Sequence, residues 1–206
     1  MSRRRDQNSE DSRRAILGAA RLAFAEKGYA ATSLEDIVTP AGLTKGALYH
    51  HFANKAAVLE ALYVEMEEEL VDGVGDAVAK AGEDADAQIG AALDAFLEAS
   101  SEPSYVRIVL RDAPTVLGVV KGRDIDQRLG SGLTEVLVQS LADQGRIPAD
   151  LSVPVAARIL LALVSEVAVN MSESAHPEVT LREGRDVVTQ ILRGLRLAAA
   201  EDRRTR

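Results

Sequence analysis

Two helix-start signals with a glycine between them, near the N-terminus, restrict the fold of this chain more than any other feature. Ser33 precedes Leu-Glu-Asp36, so its hydroxyl can accept the N3 amide while the Asp36 carboxylate reaches back to the cap. Gly42 can adopt the left-handed conformation that ends a helix, and Thr44 is a second good N-cap. Each of the two helices is too short to be stable alone. The spacing therefore predicts a helix-turn-helix that packs on a third helix.

The third helix is predicted just before this pair, from Ser12 to Lys27, and a glycine follows it. Its apolar residues recur at steps of three and four: Ile16, Leu17, Ala20, Ala23 and Phe24. The second helix is expected to end at about Pro40 or Ala41, and the last to run from Lys45 to His51. The side chains expected to pack on the first helix are Leu34, Ile37, Val38, Leu48 and Phe52.

The rest of the chain is predicted to be helical as well, which makes the fold all-α. Asn54 can cap a long helix, and further helical patterns lie at about 87–100, 104–111, 114–121, 125–145, 153–173 and 180–199. No run of alternating β-branched residues is bounded by hairpin signals. We predict a flexible basic arm (1–8), a domain built on the helix-turn-helix (9–53) and a helical C-terminal domain (54–206).

The helices predicted at 153–173 and 180–199 are more apolar than the surface of a small monomer requires. Ile159, Leu160 and Leu163 lie on the first, and Val187 and Ile191 on the second. Two neighbouring helices of this kind can form half of a four-helix bundle between subunits. They can also simply be buried in the core of one subunit.

Charge is distributed unevenly along the chain. The net charge is −8, yet residues 1–55 carry nine Lys or Arg and only six Asp or Glu. A mildly basic head is therefore joined to an acidic body, which favours a polyanion as the partner of the head alone. Arg3, Arg4 and Arg5 can reach a minor groove as part of the arm, or form a charged tail without a specific role.

The composition also limits the chemistry and the location. The chain has no cysteine, which excludes disulfides, thiolate metal sites and cysteine nucleophiles. The N-terminus is charged and lacks the apolar core of a secretory signal. The longest apolar stretch, 159–171, contains Ser165, Glu166 and Asn170 and is too short to span a bilayer. We therefore expect a cytoplasmic protein with no membrane partner.

The segment from Thr44 to His51 has the composition of a helix that enters a major groove. Lys45 is a charged donor at the leading end, and Gly46 allows the backbone to approach DNA closely. Tyr49, His50 and His51 supply ring donors. Tyr49 can also simply pack on a neighbouring helix. Adjacent histidines point in different directions, so we expect no metal site.

The stretch from Thr32 to Lys55, TSLEDIVTPAGLTKGALYHHFANK, resembles the signature of the tetracycline-repressor (TetR) family of bacterial regulators. Residues 23–32, AFAEKGYAAT, resemble the end of the first helix in that family. One departure is Pro40, where the family more often has a good helix former. Because proline lacks an amide donor, the second helix can end early and alter the turn.

The resemblance implies DNA-contacting residues. Lys45, Gly46, Tyr49 and His50 are expected to face bases or the adjacent backbone. Side chains expected to bind phosphates are Thr32, Ser33, Thr44, His51 and Lys55. Ser33 can alternatively cap its helix without meeting a phosphate.

The resemblance also implies that the C-terminal domain dimerises and encloses a pocket for a small-molecule effector. A dimer is then expected to bind a pseudo-palindromic operator on double-stranded DNA as a repressor and to be released by the effector. Polar groups scattered among apolar positions can line such a pocket, although core packing and surface salt bridges explain them equally well. Our pocket hypothesis comprises Phe96, Tyr105, Arg111, Val167 and Asn170.

Other classes of function have weaker support. A helical hydrolase built on Ser165 or Ser172 with His176 lacks a glycine-rich elbow and a spaced carboxylate pair. An architectural DNA-binding protein without an effector does not need so large an apolar body. Activation in place of repression remains open, since the chain does not reveal where its operator lies. We expect neither catalysis nor a cofactor.

Overall fold

The structure, a computed structural model, describes residues 2–205, without the side chains of residues 2–6, 8, 202, 203 and 205. All regular elements in this range are helices. They are α1 Ser2–Lys27, α2 Leu34–Val38, α3 Lys45–His51, α4 Lys55–Lys80, α5 Ala85–Ser101, α6 Pro103–Tyr105, a π-helical segment Val106–Asp112, α7 Ala113–Leu117, α8 Val119–Asp143, α9 Val153–Glu173 and α10 Pro177–Thr205. The all-α prediction is confirmed.

One compact unit comprises residues 1–67 and 102–122. Its interior contains the apolar faces predicted for the three-helix head. The fully buried side chains there include Ile16, Leu17, Phe24, Ile37, Leu48, Leu59, Leu62 and Ile108. Since α2 and α3 are short, this shared core holds them in place.

The α2 helix ends earlier than expected, at Val38 and not at Pro40 or Ala41. The amide of Leu43 donates to the Val38 carbonyl at 2.9 Å, and the amide of Gly42 to the Thr39 carbonyl at 3.1 Å. These two bonds form a Schellman cap, and Gly42 adopts the φ of +67° that it requires. Pro40 lies inside the turn, where its missing amide is tolerated.

The chain between residues 103 and 143 departs from the predicted helices at 104–111, 114–121 and 125–145. No break precedes Pro114, because the π-helical segment joins α6 to α7 and the Ala113 amide donates to the Ile108 carbonyl. The actual break is at Gly118, whose φ of +86° ends α7. After it, α8 runs without interruption from Val119 to Asp143. Both departures arise from backbone geometry that apolar periodicity does not report.

The second unit comprises residues 68–101 and 123–206. Two apolar clusters fill it. One is built around Ala85, Val138, Leu141, Ile147 and Ala157, and the other around Leu93, Leu97, Val167, Val188 and Leu192. Helices α9 and α10 approach closely, since a Cβ atom on Gly184 would lie 2.5 Å from Val167 Cγ1. The side chain of Gly184 is therefore restricted to hydrogen.

Helices α9 and α10 each retain exposed apolar side chains. Val155 and Ile159 on α9 are 46% and 63% exposed, and Val187 and Ile191 on α10 are 55% and 41% exposed. We call these four residues the apolar stripe. By length and composition alone, α9 is also long and apolar enough to cross a membrane, so the expectation that the apolar stretch 159–171 is too short does not hold for the whole helix Val153–Glu173. Among the described residues it is the one helix with this property, which a core helix of a soluble protein can share. The stripe leaves an apolar surface without cover in the single chain.

The two compact units have other boundaries than the predicted domains. The division into 1–8, 9–53 and 54–206 therefore stays a prediction. From Ser2 onward, the backbone of the predicted arm is continuous with α1. The side chains of Arg3, Arg4 and Arg5 lie outside the described residues, so a minor-groove role for them also stays a prediction.

Candidate nucleic-acid interface

One side of helix α3 packs against the core of the head, and its polar side is exposed. Leu48 is fully buried, whereas Tyr49 is 54% exposed. Lys45, Gly46 and His50 are exposed as well. The Thr44 hydroxyl accepts the Ala47 amide at 3.2 Å, so it caps the helix as the sequence predicted. The four residues predicted to face bases therefore lie on one accessible short helix.

The Lys45 ammonium forms an ion pair with the Glu35 carboxylate of α2. Both side chains are at least half exposed, so the pair lies at the surface. The hydrogen bond from Lys45 holds the pKa of Glu35 below its usual value. Sequence reasoning did not include Glu35 in the site, because the residues are ten positions apart and only the turn at Gly42 brings them together.

Ser33 forms the predicted capping box with Asp36. The Ser33 hydroxyl accepts the Asp36 amide at 3.2 Å, and the Ser33 amide donates to Asp36 Oδ2 at 2.8 Å. The Lys27 ammonium lies 2.6 Å from Asp36 Oδ1. This hydrogen bond lowers the pKa of Asp36 and raises that of Lys27. The start of α2 is thus fastened to the end of α1.

Thr32 lies differently from the prediction that it binds a phosphate. Its side chain is only 2% exposed. Its hydroxyl donates to the carbonyls of Gly28 and Ala23, at 2.8 and 3.1 Å. A buried hydroxyl engaged in this way cannot reach a phosphate at the surface. We therefore correct its role: Thr32 closes the turn after α1.

Lys55 is half-buried and points into the head. Its ammonium donates to the carbonyls of Tyr29 and Thr32, both at 2.7 Å, and lies 4.2 Å from the centre of the Tyr29 ring. An ammonium has three donors, so one is left for a phosphate. Lys55 thus fastens the start of α4 to the turn after α1, a role that the sequence did not indicate.

The C-terminal end of α3 gathers further basic groups. The rings of His50 and His51 pack edge to face with centroids 5.2 Å apart. The Arg13 guanidinium of α1 lies 5.7 Å from the centre of the Phe52 ring. Burial, followed by the charges of His50 and Arg13, lowers the pKa of His51. Sequence reasoning missed Arg13, whose position beside α3 depends on how α1 packs.

The end of α1 is held by the π-helical segment of the same compact unit. The Tyr29 amide donates to Asp112 Oδ2 at 2.7 Å. The Arg107 guanidinium covers Gly28, where an added methyl group would overlap it, and Arg107 Nε lies 3.6 Å from Asp112 Oδ2. We call these four residues the α1 clasp. It links residues 106–112 directly to the DNA-binding head.

The five predicted pocket residues are divided between the two units. Tyr105 is buried in the first, and its hydroxyl donates to the buried Glu67 carboxylate. Arg111 is exposed. In the second unit, Phe96 packs against the cluster that contains Val167, whereas Asn170 is exposed and bonds to Glu166 of its own helix. Within the second unit, Phe96 and Val167 therefore lie together and Asn170 faces solvent.

A separate surface groove of about 660 Å³ lies along α8 and the start of α9. Glu135, Gln139, Asp143 and Val153 are among its lining residues, and none of the five predicted pocket residues is.

Comparison with known proteins identifies this arrangement. Residues 16–62 match the family described as "Bacterial regulatory proteins, tetR family". Residues 87–195, more than half of the chain, match the family described as "Tetracyclin repressor-like, C-terminal domain". The chain belongs to the TetR family. The resemblance drawn from residues 23–55 is confirmed, and the second match extends it to most of the C-terminal region.

Among curated relatives of this TetR-family protein is the HTH-type transcriptional regulator TtgR of Pseudomonas putida. It is 43% identical over 68 residues, which are 33% of this chain and 32% of TtgR. The match thus spans about a third of the relative's length. The HTH-type transcriptional regulator UidR of Escherichia coli is 24% identical over 183 residues, 85% of this chain and 90% of UidR.

A solved TetR-family transcriptional regulator from Pectobacterium atrosepticum is similar over nearly the whole chain. It is 32% identical, with a TM-score of 0.80, and the match covers 92% of this chain and 96% of the other. The regulator FadR of Bacillus subtilis, solved in complex with stearoyl-CoA, shares the fold at 16% identity and a TM-score of 0.66. That match covers 86% of this chain and 96% of FadR.

Proposed function

We propose that this TetR-family protein is a dimeric transcriptional repressor that binds a pseudo-palindromic operator on double-stranded DNA and is released by a small-molecule effector. The observation that carries the proposal is the exposed polar face of α3. Lys45, Tyr49 and His50 lie there on a helix anchored by Leu48 and capped by Thr44. A helix presented in this way can enter the major groove with its N-terminal residues against base edges.

In this proposal the bases are contacted by Lys45, Gly46, Tyr49 and His50. Ser33, Thr44, His51 and the remaining donor of Lys55 meet phosphates. Arg13 joins the phosphate contacts because it lies beside the end of α3. Catalysis has no part in this function, and its place is the cytoplasm, where the DNA is.

The apolar stripe supports a dimer. Residues four apart on a helix share a face, so Val155 with Ile159, and Val187 with Ile191, form one strip on each helix. Burying these side chains against the same strip of a second copy is favourable at about 25 cal/mol per Å² of apolar surface. A two-fold interface of this kind is self-complementary, as a pseudo-palindromic operator requires.

The α1 clasp supports a route from effector to DNA. In a dimer the two α3 helices must be about 34 Å apart to enter successive major grooves. Because Asp112 and Arg107 hold the end of α1, a shift of residues 106–112 moves the head with it. An effector that prefers the shifted state weakens DNA binding, with a typical coupling of roughly 1–3 kcal/mol.

The proposed function also includes an effector pocket in the C-terminal region. In FadR of B. subtilis, a chain of this fold was solved with stearoyl-CoA. Here Phe96 and Val167 supply an apolar wall within the second unit, and Asn170 lies at an exposed position of the same unit. We propose Phe96, Val167 and Asn170 as groups that meet the effector. In the first unit, the buried Tyr105 and the exposed Arg111 stay predictions as effector contacts.

The proposal is tested by selecting bound sequences from random duplex DNA with the purified protein and determining its mass in solution without detergent. We expect a pseudo-palindrome bound by a dimer. The selected duplex then serves as the probe in a screen for small molecules that release it. A protein that enriches no sequence but still binds duplex DNA would be architectural, and the proposed function would be wrong.

A further inference from the structure

Glu35 is an acidic side chain on the surface that is proposed to meet a polyanion. Its side chain is 60% exposed and its partner is Lys45, at the leading end of α3. The neighbouring carboxylate, Asp36, is occupied by Lys27 and Ser33 and so does not compete for Lys45. The two acids of α2 therefore have different tasks, since Asp36 fixes the helix and Glu35 reaches toward α3.

We propose that Glu35 is a specificity-determining residue, whose carboxylate holds the Lys45 ammonium and so penalises binding to the phosphate backbone alone. This inference rests on the proposed function of DNA binding. It assigns to Glu35 a part in choosing DNA sequences, although no contact between Glu35 and DNA is required.

Binding to bases and binding to phosphates alone differ because of the hydrogen-bond donors of Lys45. An ammonium has three of them, so Lys45 can keep one on Glu35 while it donates another to the O6 or N7 atom of a guanine. A phosphate contact beyond the reach of Glu35 breaks the ion pair with Lys45. A phosphate contact within that reach brings the phosphate near the Glu35 carboxylate, and like charges repel. Glu35 thus opposes non-specific complexes more than the specific one.

Hydrogen bonds and an ion pair fix the backbone around Glu35, so its carboxylate is directed toward Lys45. The Ser33 capping box closes the first turn of α2, and the pair of Lys27 with Asp36 ties that turn to α1. Across the turn, the Thr44 cap fixes the first residue of α3. Because both ends of the pair stand on capped helices, the carboxylate restricts Lys45 to fewer orientations than a free side chain has.

The test compares Glu35→Gln with the wild-type protein on the selected operator and on a scrambled duplex, over a range of salt concentrations. For the scrambled duplex we expect tighter binding by Glu35→Gln and a salt slope steeper by about 0.9 per head, because Lys45 becomes free for one more phosphate. The ratio of operator affinity to scrambled affinity should fall by about fivefold or more.

Two controls distinguish an effect of the Glu35–Lys45 pair from an effect of net charge. Glu26→Gln removes the charge of another exposed acid of the head, on α1, and should leave the affinity ratio unchanged. In a Lys45→Met background, Glu35→Gln should leave the affinity ratio and the salt slope unchanged, because the partner is gone. Thermal unfolding of every variant confirms that the head remains folded.

Equal effects of Glu35→Gln and Glu26→Gln would overturn the inference, since only overall charge would then matter. A change in the affinity ratio caused by Glu35→Gln that persists with Lys45→Met would overturn it as well. A wild-type protein that binds neither duplex would instead overturn the proposed function, and the inference with it.

Discussion

Single residues in the head show how burial decides between two roles for one chemical group. Thr32 and Ser33 are adjacent hydroxyl residues, and the family resemblance implied phosphate contacts for both, with capping of α2 as the alternative for Ser33. Thr32 is buried and donates inward, whereas Ser33 is exposed and caps α2. Lys55 is intermediate, because two carbonyls hold its ammonium while the side chain stays partly accessible. Residue type alone does not distinguish these cases, since the direction of each side chain depends on the turn after α1.

Replacing Thr32 by valine tests its corrected role. The substitution keeps the shape and removes the hydroxyl that donates to Gly28 and Ala23. We expect a loss of roughly 1–3 kcal/mol in the free energy of unfolding, measured by chemical denaturation, because buried acceptors lose a partner. The salt slope of DNA binding by the folded protein should not change.

The matched control is Thr39→Val, which alters an exposed threonine of the same head and should change stability by less than about 0.5 kcal/mol. A shallower salt slope for Thr32→Val would show that the hydroxyl meets a phosphate after all.

Among the elements, the π-helical segment Val106–Asp112 has the clearest consequence for function. It replaces a break that the sequence suggested before Pro114, and it carries both Arg107 and Asp112 of the α1 clasp. A π-helical turn contains more residues than an α-helical one and often occurs at functional positions. In this chain it is the element that touches the DNA-binding head at Tyr29.

Gly28→Ala and Gly42→Ala separate backbone strain from the loss of the clasp. Both glycines have positive φ, so each alanine costs roughly 1–2 kcal/mol in a left-handed conformation. Only at Gly28 does the new methyl group also displace Arg107, since the space around Gly42 is open. We expect Gly28→Ala to lose more stability in chemical denaturation.

Arg107→Ala supplies the control for this comparison. In that background the excess loss at Gly28 should disappear, because there is no guanidinium left to displace. Equal losses at the two glycines in the wild-type background would contradict a close contact between Arg107 and Gly28.

For the molecule as a whole, the exposed apolar stripe indicates that a partner covers it. Its four side chains lie exposed on the two last helices, while other residues of those helices, Val167 and Val188 among them, are packed in a buried cluster. The sequence indicated unusual apolarity there but left the monomer core as an alternative. The exposure of Ile159 and Val187 favours the partner.

Ile159→Glu combined with Ile191→Glu should convert the protein to a monomer, because charges on the stripe cannot be buried against a second copy. Light scattering should give the mass of one chain. Affinity for the two-site operator should fall by about a hundredfold or more, since the half-sites are no longer linked.

Val120→Glu is the matched control, because Val120 is 86% exposed and lies outside the stripe, so the dimer and the affinity should persist. A double stripe variant that remains a dimer would place the interface elsewhere.

Local signals in the chain are enough to specify the helical elements of the head and their caps. Ser33, Asp36, Gly42 and Thr44 act over four or five residues, so their effect on the backbone is local. The helix Lys45–His51, which is proposed to enter the major groove, was predicted from the same signals. The family could be recognised from this segment because those local requirements recur together.

Which side chains meet across elements depends on tertiary packing. Packing buries Thr32, pairs Lys45 with Glu35 and brings Arg13 beside Phe52. It also joins the helices on either side of Pro114 and moves the next break to Gly118. Each of these outcomes depends on contacts between residues distant in the chain, or on backbone geometry that neighbouring elements stabilise. Apolar periodicity carries information about one helix face at a time, and so it could not supply them.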